Sequence, residues 1–278
     1  MDLNWLQSVI YGIVSGLMDI LPLSAQAHRV LILKFFGVTG KSDLFSLMIH
    51  LGVFAGLFYS CNGHIVRMTR AKRLSRVPKR RRKRPLDVKS LMDWSMLKTI
   101  LLPVILGIYL FQYTSEFRTN LLVISMLLFI NGVILYAPQF FSTGNKDSRT
   151  LSRVEGLLMG LGGGFSVLPG ISAMGATTSV SSVCGVDRRY GLDMALLMNM
   201  FLNVGYIFWD LMGVFSGGAG TISFMILVRY IITGIVAFVA TLGGVRIMRT
   251  MAANQGYAIF GLYCFGMSLF VFILNLLA

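Results

Sequence analysis

Two stretches of this chain place a proline and hydroxyl side chains inside long apolar runs. The first follows Asp19 and reads Leu21-Pro22-Leu23-Ser24-Ala25-Gln26-Ala27-His28. A carboxylate, a hydroxyl and an imidazole around one backbone break are the groups that nucleophilic and acid–base chemistry use. The alternative is structural, with Asp19 capping a helix and His28 at a lipid headgroup boundary. Ionisable residues are costly inside a membrane, so they suggest a functional site by default.

The second stretch has a similar design and suggests anion binding. It reads Leu168-Pro169-Gly170-Ile171-Ser172-Ala173-Met174-Gly175-Ala176 and is followed by Thr177 and Thr178. Backbone N–H groups at the start of a helix after a glycine turn form an anion site. Glycines such as Gly162, Gly163 and Gly164 also allow close helix crossings, so tight packing is the alternative.

The elements that must position these residues are membrane helices. The 278-residue chain is 55% hydrophobic and only 13% charged, with a mean hydropathy of +0.74. Apolar runs of about 18 or more residues recur along it, which is typical of a polytopic helical membrane protein. We therefore expect residues 1–278 to form a single membrane domain.

The order of these runs predicts the same unit twice. A re-entrant pair over residues 3–36 precedes crossings at 44–61, 95–113 and 119–140, and a second pair over 154–183 precedes crossings at 190–213, 221–247 and 255–277. Three crossings per unit make the second unit enter from the opposite side. The predicted fold is an all-α polytopic integral membrane protein: six transmembrane helices plus two re-entrant pairs in an inverted repeat. Repeat 1 covers about 1–140 and repeat 2 about 150–278.

The charge of the chain indicates its orientation. The net charge is +14, and 12 of the 25 Lys and Arg residues lie between Arg67 and Lys89. One basic loop between apolar helices follows the positive-inside rule, so the loop at residues 62–94 is predicted to be cytoplasmic. Contact with anionic lipid is a second reading of this loop, and no nucleic-acid partner is expected.

Other polar residues fall inside the predicted crossings. Asp210 and Arg229 lie at similar depth in adjacent antiparallel crossings, which predicts an ion pair, since a lone charge there is costly. Asn199 and Asn203 are one turn apart and are expected to bond between helices. His50 either lines a cavity or is a satisfied core histidine.

Both stretches resemble motifs of the undecaprenyl pyrophosphate phosphatases, also called bacitracin-resistance proteins. Residues 15–28 are similar to the family's E-G-L-T-E-F-L-P-V-S-S-T-G-H, and residues 169–177 to its P-G-x-S-R-S-G-A-T. Ile49-His50-Leu51-Gly52 resembles its I-Q-L-G or L-H-L-G. The resemblance implies a multi-pass protein of the bacterial inner (plasma) membrane. Its expected activity is hydrolysis of a polyprenyl diphosphate to the monophosphate, which recycles the cell-envelope lipid carrier.

The resemblance also implies roles for individual residues. The catalytic set would be Asp19, Ser24, His28 and Ser172. The substrate-binding set would be Ser15, Gly170, Gly175 and Thr177, to which we add Arg29 because it adjoins His28. A divalent cation, Mg²⁺ or Ca²⁺, would bind at Asp19 together with the phosphates of the lipid. A homodimer is one option that the sequence leaves open.

Three family positions are replaced here: Ser15 stands for a Glu, Ala25 for a Ser and Ala173 for an Arg. Because phosphoryl transfer relies on positioned positive charge, losing the Arg is expected to cost on the order of 10³-fold in rate. Arg29 is a candidate replacement if it turns inward, and Arg229 is a weaker one. Two hypotheses follow: a diphosphatase with weakened catalysis, or a non-hydrolytic polyprenyl-phosphate binding protein or flippase on the same fold.

Overall fold

The structure is a computed structural model that describes residues 3–38, 40, 42–218, 223–254 and 257–277. Within those residues the chain folds into ten α-helices joined by short turns. Their bounds are α1 Trp5–Ile20, α2 Ala25–Phe35, α3 Asp43–Ser75, α4 Val88–Leu110, α5 Leu121–Tyr136, α6 Arg153–Gly164, α7 Ala173–Val183, α8 Arg188–Gly213, α9 Phe224–Asn254 and α10 Ala258–Leu277.

Six of these segments are long and apolar enough to cross a membrane. With their adjoining turns they are Asp43–Ser75, Val88–Thr114, Leu121–Phe140, Arg188–Gly217, Phe224–Ala253 and Ala258–Leu277. The predicted all-α architecture with six crossings is therefore confirmed. The chain is a multi-pass membrane protein, and α1, α2, α6 and α7 are the shorter helices that accompany the six spans.

The predicted basic loop at 62–94 is largely helical. α3 continues to Ser75 and α4 begins at Val88, which leaves residues 76–87 as the connection. Arginine and lysine are good helix formers, so the basic residues after the apolar part of α3 extend the helix instead of ending it. His64, which the sequence placed in a loop, lies on α3 and contacts Asp93 of α4 at 3.3 Å.

The basic residues gather at one end of the bundle. Lys89 Nζ lies 3.6 Å from a carboxylate oxygen of Asp147, which precedes α6. Arg249 of α9 donates to the Ser60 carbonyl of α3 at 3.0 Å. The residues that precede α6 and the last part of α9 thus lie near the same ends of α3 and α4 as the basic connection.

Two short helices pack through small residues onto crossings of the other half of the chain. On α1, a Cβ added at Gly16 would lie 2.3 Å from the Ala237 carbonyl oxygen of α9. On α6, a Cβ added at Gly160 would lie 2.1 Å from the Ile100 carbonyl oxygen of α4. Small residues at such crossings let backbones approach closely, which is how helices associate in a membrane.

Candidate functional site

The two backbone breaks contact each other at the centre of the fold. The Gly170 N–H donates to Ser24 Oγ at 3.0 Å. Asn131 of α5 joins both breaks, because its amide donates to the Pro22 carbonyl at 3.1 Å and accepts from the Ser172 N–H at 2.9 Å. These buried hydrogen bonds satisfy the backbone groups that the breaks release, as irregular backbone within a membrane requires.

Each break contains a residue with a positive φ angle, which an α-helix does not allow. Ser24 has φ of 59°, and Gly170 has φ of +127°. A non-glycine residue at positive φ costs of order 1–3 kcal/mol and persists only where the surroundings fix it. Here the Gly170 hydrogen bond holds Ser24. At Gly170 a Cβ would lie 2.5 Å from Leu127 Cβ, so glycine is needed for space as well.

Asp19 lies in a narrow cleft between the breaks and α8. Its Oδ2 accepts from the side-chain amides of Asn199 and Asn203, both at 3.0 Å. The predicted inter-helix bonding of these asparagines is confirmed. The remaining residues of this Asp19 cleft include Gln26, Arg29, Ser172, Ala173 and Tyr206.

Arg29 turns inward and contacts the same cleft. Its Nη2 lies 3.8 Å from Asp19 Oδ1, while its Nε and Nη2 have no hydrogen-bond acceptor among the described residues. Ala173 and Arg29 both line the Asp19 cleft, one from each break. A guanidinium with free N–H groups is suited to bind phosphate oxygens, often with two hydrogen bonds at once.

A larger cavity of about 730 Å³ adjoins the Asp19 cleft and shares Gln26, Arg29 and Tyr206 with it. We call it the His50 cavity. His50 and Asp210 line it together with two further cations, Lys34 and Arg118. It lies where α3 begins and α8 ends, and α3 ends at the basic connection. The cavity is therefore on the opposite side of the bundle from that connection.

The His50 ring lies between a carboxylate and a guanidinium. Its Nδ1 lies 2.5 Å from Asp210 Oδ2, and its Nε2 lies 2.8 Å from Arg29 Nη1. A guanidinium has only donors, so Nε2 must accept, and the Nδ1–H must donate to Asp210. The contacts thus define the neutral Nδ1–H tautomer of His50.

Comparison with known proteins identifies the family. The family described as "Bacitracin resistance protein BacA" matches residues 8–270. The chain belongs to this family. It is 27% identical over 272 residues to an undecaprenyl-diphosphatase of Methanobrevibacter smithii, covering 96% of both chains. It is 25% identical over 280 residues to undecaprenyl-diphosphatase 1 of Shouchella clausii, covering 98% of this chain and 96% of that one.

The predicted catalytic residues and Arg29 of this bacitracin resistance family protein lie at three places. Asp19, Arg29 and Ser172 line the Asp19 cleft. Ser24 is buried at the junction of the breaks. His28 bonds through Nδ1 to the Ser24 carbonyl at 2.9 Å and through Nε2 to the Tyr263 hydroxyl at 3.0 Å. His28 faces a different, apolar groove. The catalytic roles of these residues stay predictions.

The other predicted binding residues lie beneath the cleft surface. Ser15 is fully buried, and its hydroxyl has no partner within the described chain. Thr177 donates to the Met159 carbonyl at 3.2 Å. The Gly175 N–H donates to the Ser172 hydroxyl at 3.1 Å, and a Cβ on Gly175 would lie 2.9 Å from Pro22 Cβ. Gly175 therefore allows the two breaks to approach each other.

The surroundings of Asp19 do not fit a resident divalent cation. Hard cations need several oxygen ligands, whereas Asp19 is surrounded by two amide donors and a guanidinium. Among the described residues, no group of three or more His, Cys, Asp and Glu side chains could hold a metal. A cation that binds at Asp19 together with the phosphates of the lipid stays a prediction, and no step below depends on it.

The predicted Asp210–Arg229 pair is wrong. Asp210 pairs with His50 instead. Arg229 donates to the Leu3 carbonyl and lies over the Trp5 ring at 5.6 Å. A backbone carbonyl and an aromatic face contact the guanidinium in place of a carboxylate, while its Nε has no hydrogen-bond partner among the described residues. Arg229 lines neither the Asp19 cleft nor the His50 cavity, so it is excluded as the replacement for the family Arg.

Sequence reasoning missed two residues of the site. Asn131 bridges the breaks, and the only available signal was an amide within the apolar run of α5. Tyr206 accepts a hydrogen bond from Gln26 at 3.2 Å, and its ring lies 5.2 Å from that of His50. No local sequence signal points to Tyr206, because its neighbours Gln26 and His50 come from distant parts of the chain.

Proposed function

We propose that this protein hydrolyses a polyprenyl diphosphate to the monophosphate and inorganic phosphate in the bacterial plasma membrane. This reaction would recycle the lipid carrier of the cell envelope. The observation that carries the proposal is the Arg29 guanidinium, which lines the Asp19 cleft together with Ala173 and whose Nε and Nη2 have no hydrogen-bond acceptor among the described residues. The names of the relatives, undecaprenyl-diphosphatases, support the same substrate class.

Arg29 would supply the charge that Ala173 lacks. In this chain the cation comes from the first break, one residue after His28, and lines the same cleft as Ala173. Ser172 adds a hydroxyl, and α7 starts at Ala173 with its N-terminus at the cleft. Helix N-termini attract anions through their free N–H groups. Together these groups can bind the terminal phosphate.

Ser24 and His28 would act by holding the first break. Ser24 accepts from Gly170, and His28 ties the Ser24 carbonyl to Tyr263 of α10. Both contacts fix the direction in which Arg29 leaves the start of α2. The Asp19 carboxylate would in turn orient the guanidinium, because it lies 3.8 Å from Arg29 Nη2.

The polyprenyl chain would lie in the apolar groove between α1, α2 and α10. This groove, of about 540 Å³, is lined by apolar side chains such as Leu31, Met267 and Leu274. It shares Met18 with the Asp19 cleft and Lys34 with the His50 cavity. An amphiphile could thus place its charged head and its apolar tail in adjoining sites.

The helix contacts support two re-entrant pairs in an inverted repeat. α1 contacts α2 and packs on α9, while α6 contacts α7 and packs on α4. If α1–α5 and α6–α10 are equivalent units, α1 on α9 and α6 on α4 are the same contact exchanged between them. The pairings of α3 with α8 and of α5 with α10 would then lie on the repeat axis.

A second candidate function is binding or flipping of a polyprenyl phosphate without hydrolysis. Two observations favour it: the family Glu and Arg are absent at Ser15 and Ala173, and neither Ser24 nor His28 lines the Asp19 cleft. Inverted repeats also suit alternating access.

Phosphate release separates the two functions. We expect the purified protein in detergent to release phosphate from undecaprenyl diphosphate, and Arg29→Gln to lower this rate by on the order of 10³-fold. Arg246→Gln, at the opposite end of the bundle, is the matched control. Binding of the lipid without phosphate release by the wild-type protein would instead support the carrier. Parallel assays with Mg²⁺ and with a chelator test the predicted cation.

A further inference from the structure

His50 and Asp210 form a buried pair of titratable side chains to which the proposed function above assigns no role. The exposed fractions of the two side chains are 8% and 12%, and both line the His50 cavity. A carboxylate bonded to Nδ1 fixes the imidazole and leaves Nε2 with a lone pair for a proton. Nε2 points to Arg29, the residue that we propose to bind the phosphate.

We propose that His50 is the general base of the hydrolysis and that Asp210 is its positioning residue. This inference rests on the proposed diphosphatase function and assigns the proton transfer within it. The alternative histidine, His28, lines the apolar groove, and its Nε2 lies 3.0 Å from the Tyr263 hydroxyl instead of a group that we propose to bind phosphate. Only His50 faces the polar cavity.

Arg29 couples phosphate binding to release of the base. In the structure Arg29 Nη1 donates to His50 Nε2 at 2.8 Å. A bound phosphate competes for the same guanidinium and offers charged acceptors, which form stronger hydrogen bonds than a neutral imidazole. As Arg29 turns its donors to the phosphate, Nε2 becomes free to accept a proton from a water molecule beside the phosphorus.

The proposed reaction is a hydrolysis of the diphosphate by one water molecule. The water oxygen bonds to the terminal phosphorus, and its proton goes to His50 Nε2. The bond from that phosphorus to the bridging oxygen breaks, and its electron pair stays on the bridging oxygen of the polyprenyl monophosphate. Asp210 stabilises the imidazolium that forms. The imidazolium then returns the proton to the departing monophosphate, so that the protein is unchanged.

Several charged or titratable groups face His50 and can affect the pH dependence of the hydrolysis rate. α8 contributes Asp210 and Tyr206, α2 contributes Arg29 and Lys34, and α1 contributes Tyr11. Asp43 of α3 and Arg118, which precedes α5, line the same cavity. α9 packs against this part of α3 through the Gly234 backbone. Of these groups, Asp210 and Arg29 hydrogen-bond the ring directly.

The chain supplies a matched control for this pair. His64 and Asp93 form a second buried His–Asp contact at 3.3 Å, with exposed fractions of 12% and 6%. They lie on α3 and α4 toward the basic connection, away from the Asp19 cleft. A purely structural role for buried His–Asp pairs predicts similar losses at both sites, whereas a catalytic role predicts a loss at His50 alone.

The test compares His50→Gln, Asp210→Asn and His64→Gln by phosphate release from farnesyl diphosphate over a range of pH. The side chain of Gln at position 50 can still accept from Arg29 but cannot take a proton. We expect His50→Gln to lower kcat by 10²–10⁴-fold, with a smaller change in KM, and to remove the acid limb of the pH–rate profile. His64→Gln should stay within about twofold of the wild-type kcat.

Asp210→Asn tests the positioning role. An Asn amide donates to Nδ1 and so forces the proton onto Nε2, which can then no longer act as a base. We expect a loss of on the order of 10²-fold or more in kcat with an altered pH profile. Elution as a folded protein and retained lipid binding confirm that the variants are intact. If either variant fails to fold, the other still provides the pH profile.

The outcomes distinguish this inference from the proposed function. Wild-type protein that releases no phosphate refutes the diphosphatase and with it the role of His50. Wild-type activity that His50→Gln retains within threefold, with an unchanged pH profile, refutes the His50 assignment alone. Equal losses in His50→Gln and His64→Gln refute it as well.

Discussion

At the scale of single residues, one guanidinium connects the two polar parts of the site. Arg29 contacts Asp19 of the cleft and His50 of the cavity, at 3.8 and 2.8 Å. Because Ala173 lines the same cleft, the chain places its cation on the first break instead of the second. Under the proposed diphosphatase function, Arg29 would supply the positive charge near the phosphate although Ala173, at the position where the resemblance expects an Arg, is apolar.

If Arg29 replaces the family Arg, an arginine placed at position 173 should substitute for Arg29. Arg29→Ala should lower kcat/KM for polyprenyl diphosphate by on the order of 10³-fold, because the phosphate loses its main cation. Adding Ala173→Arg to that variant should restore at least tenfold, since the two positions share the cleft. Phosphate release by the single and double variants measures this. No recovery in the double variant would contradict the shared position.

At the scale of elements, the short helices are held by close backbone contacts. α1 lies on α9 through Gly12 and Gly16, and a Cβ at Gly12 would lie 2.8 Å from the Thr233 carbonyl oxygen. α6 lies on α4 in the same way. These crossings place the end of α1, and therefore Asp19, against α8. The geometry of the cleft thus depends on residues that carry no chemistry.

A pair of glycine substitutions on this crossing tests that dependence. Gly16→Ala would place a Cβ 2.3 Å from the Ala237 carbonyl oxygen and should destabilise the fold by about 1–3 kcal/mol. Gly243→Ala on α9 has nothing within 4 Å of its Cβ, so it should be neutral or stabilising by up to about 1 kcal/mol. Thermal unfolding in detergent compares them, and equal midpoints would contradict the close packing.

The apolar groove makes a second prediction at this scale. Met267→Trp should fill the groove between α1, α2 and α10 and raise KM about tenfold for an undecaprenyl substrate. A farnesyl substrate, whose tail is shorter, should be affected less. Ile130→Trp, in the apolar groove between α5, α6 and α7, is the control. Equal effects of both variants would indicate that neither groove binds the tail specifically.

At the scale of the whole molecule, charge and cavity lie at opposite ends. The basic connection at residues 76–87 joins the far ends of α3 and α4, whereas the His50 cavity lies where α3 begins and α8 ends. The positive-inside rule predicts that the basic end is cytoplasmic, which would place the cavity on the other side of the membrane.

Cysteine labelling tests this orientation. Ser115 lines the His50 cavity and is exposed, while Ser75 is exposed at the basic end. In a background without Cys61, Cys184 and Cys264, Ser115→Cys should react with a membrane-impermeant maleimide added to intact cells. Ser75→Cys should react only after the membrane is permeabilised. The reverse pattern would invert the topology and place the cavity in the cytoplasm.

The sequence by itself determined the class, the family and the number of crossings. Apolar length and charge distribution are local properties of the chain, and a membrane allows few ways to satisfy them. The sequence also located both breaks, because at each of them a proline falls among small and hydroxyl residues within an apolar run. It indicated that Arg29 was a candidate cation, but its spacing could not show which way that side chain turns.

The tertiary structure alone decided which polar groups meet. Asn131 and Ser172 are 41 positions apart, and His50 and Asp210 are 160 apart, so no local pattern relates them. The predicted Asp210–Arg229 pair failed for this reason: similar depth in adjacent helices does not fix the direction in which a side chain points. The direction of a side chain depends on how its helix is rotated about its own axis. Close packing at glycines such as Gly16 fixes that rotation, and this packing exists only in the assembled bundle.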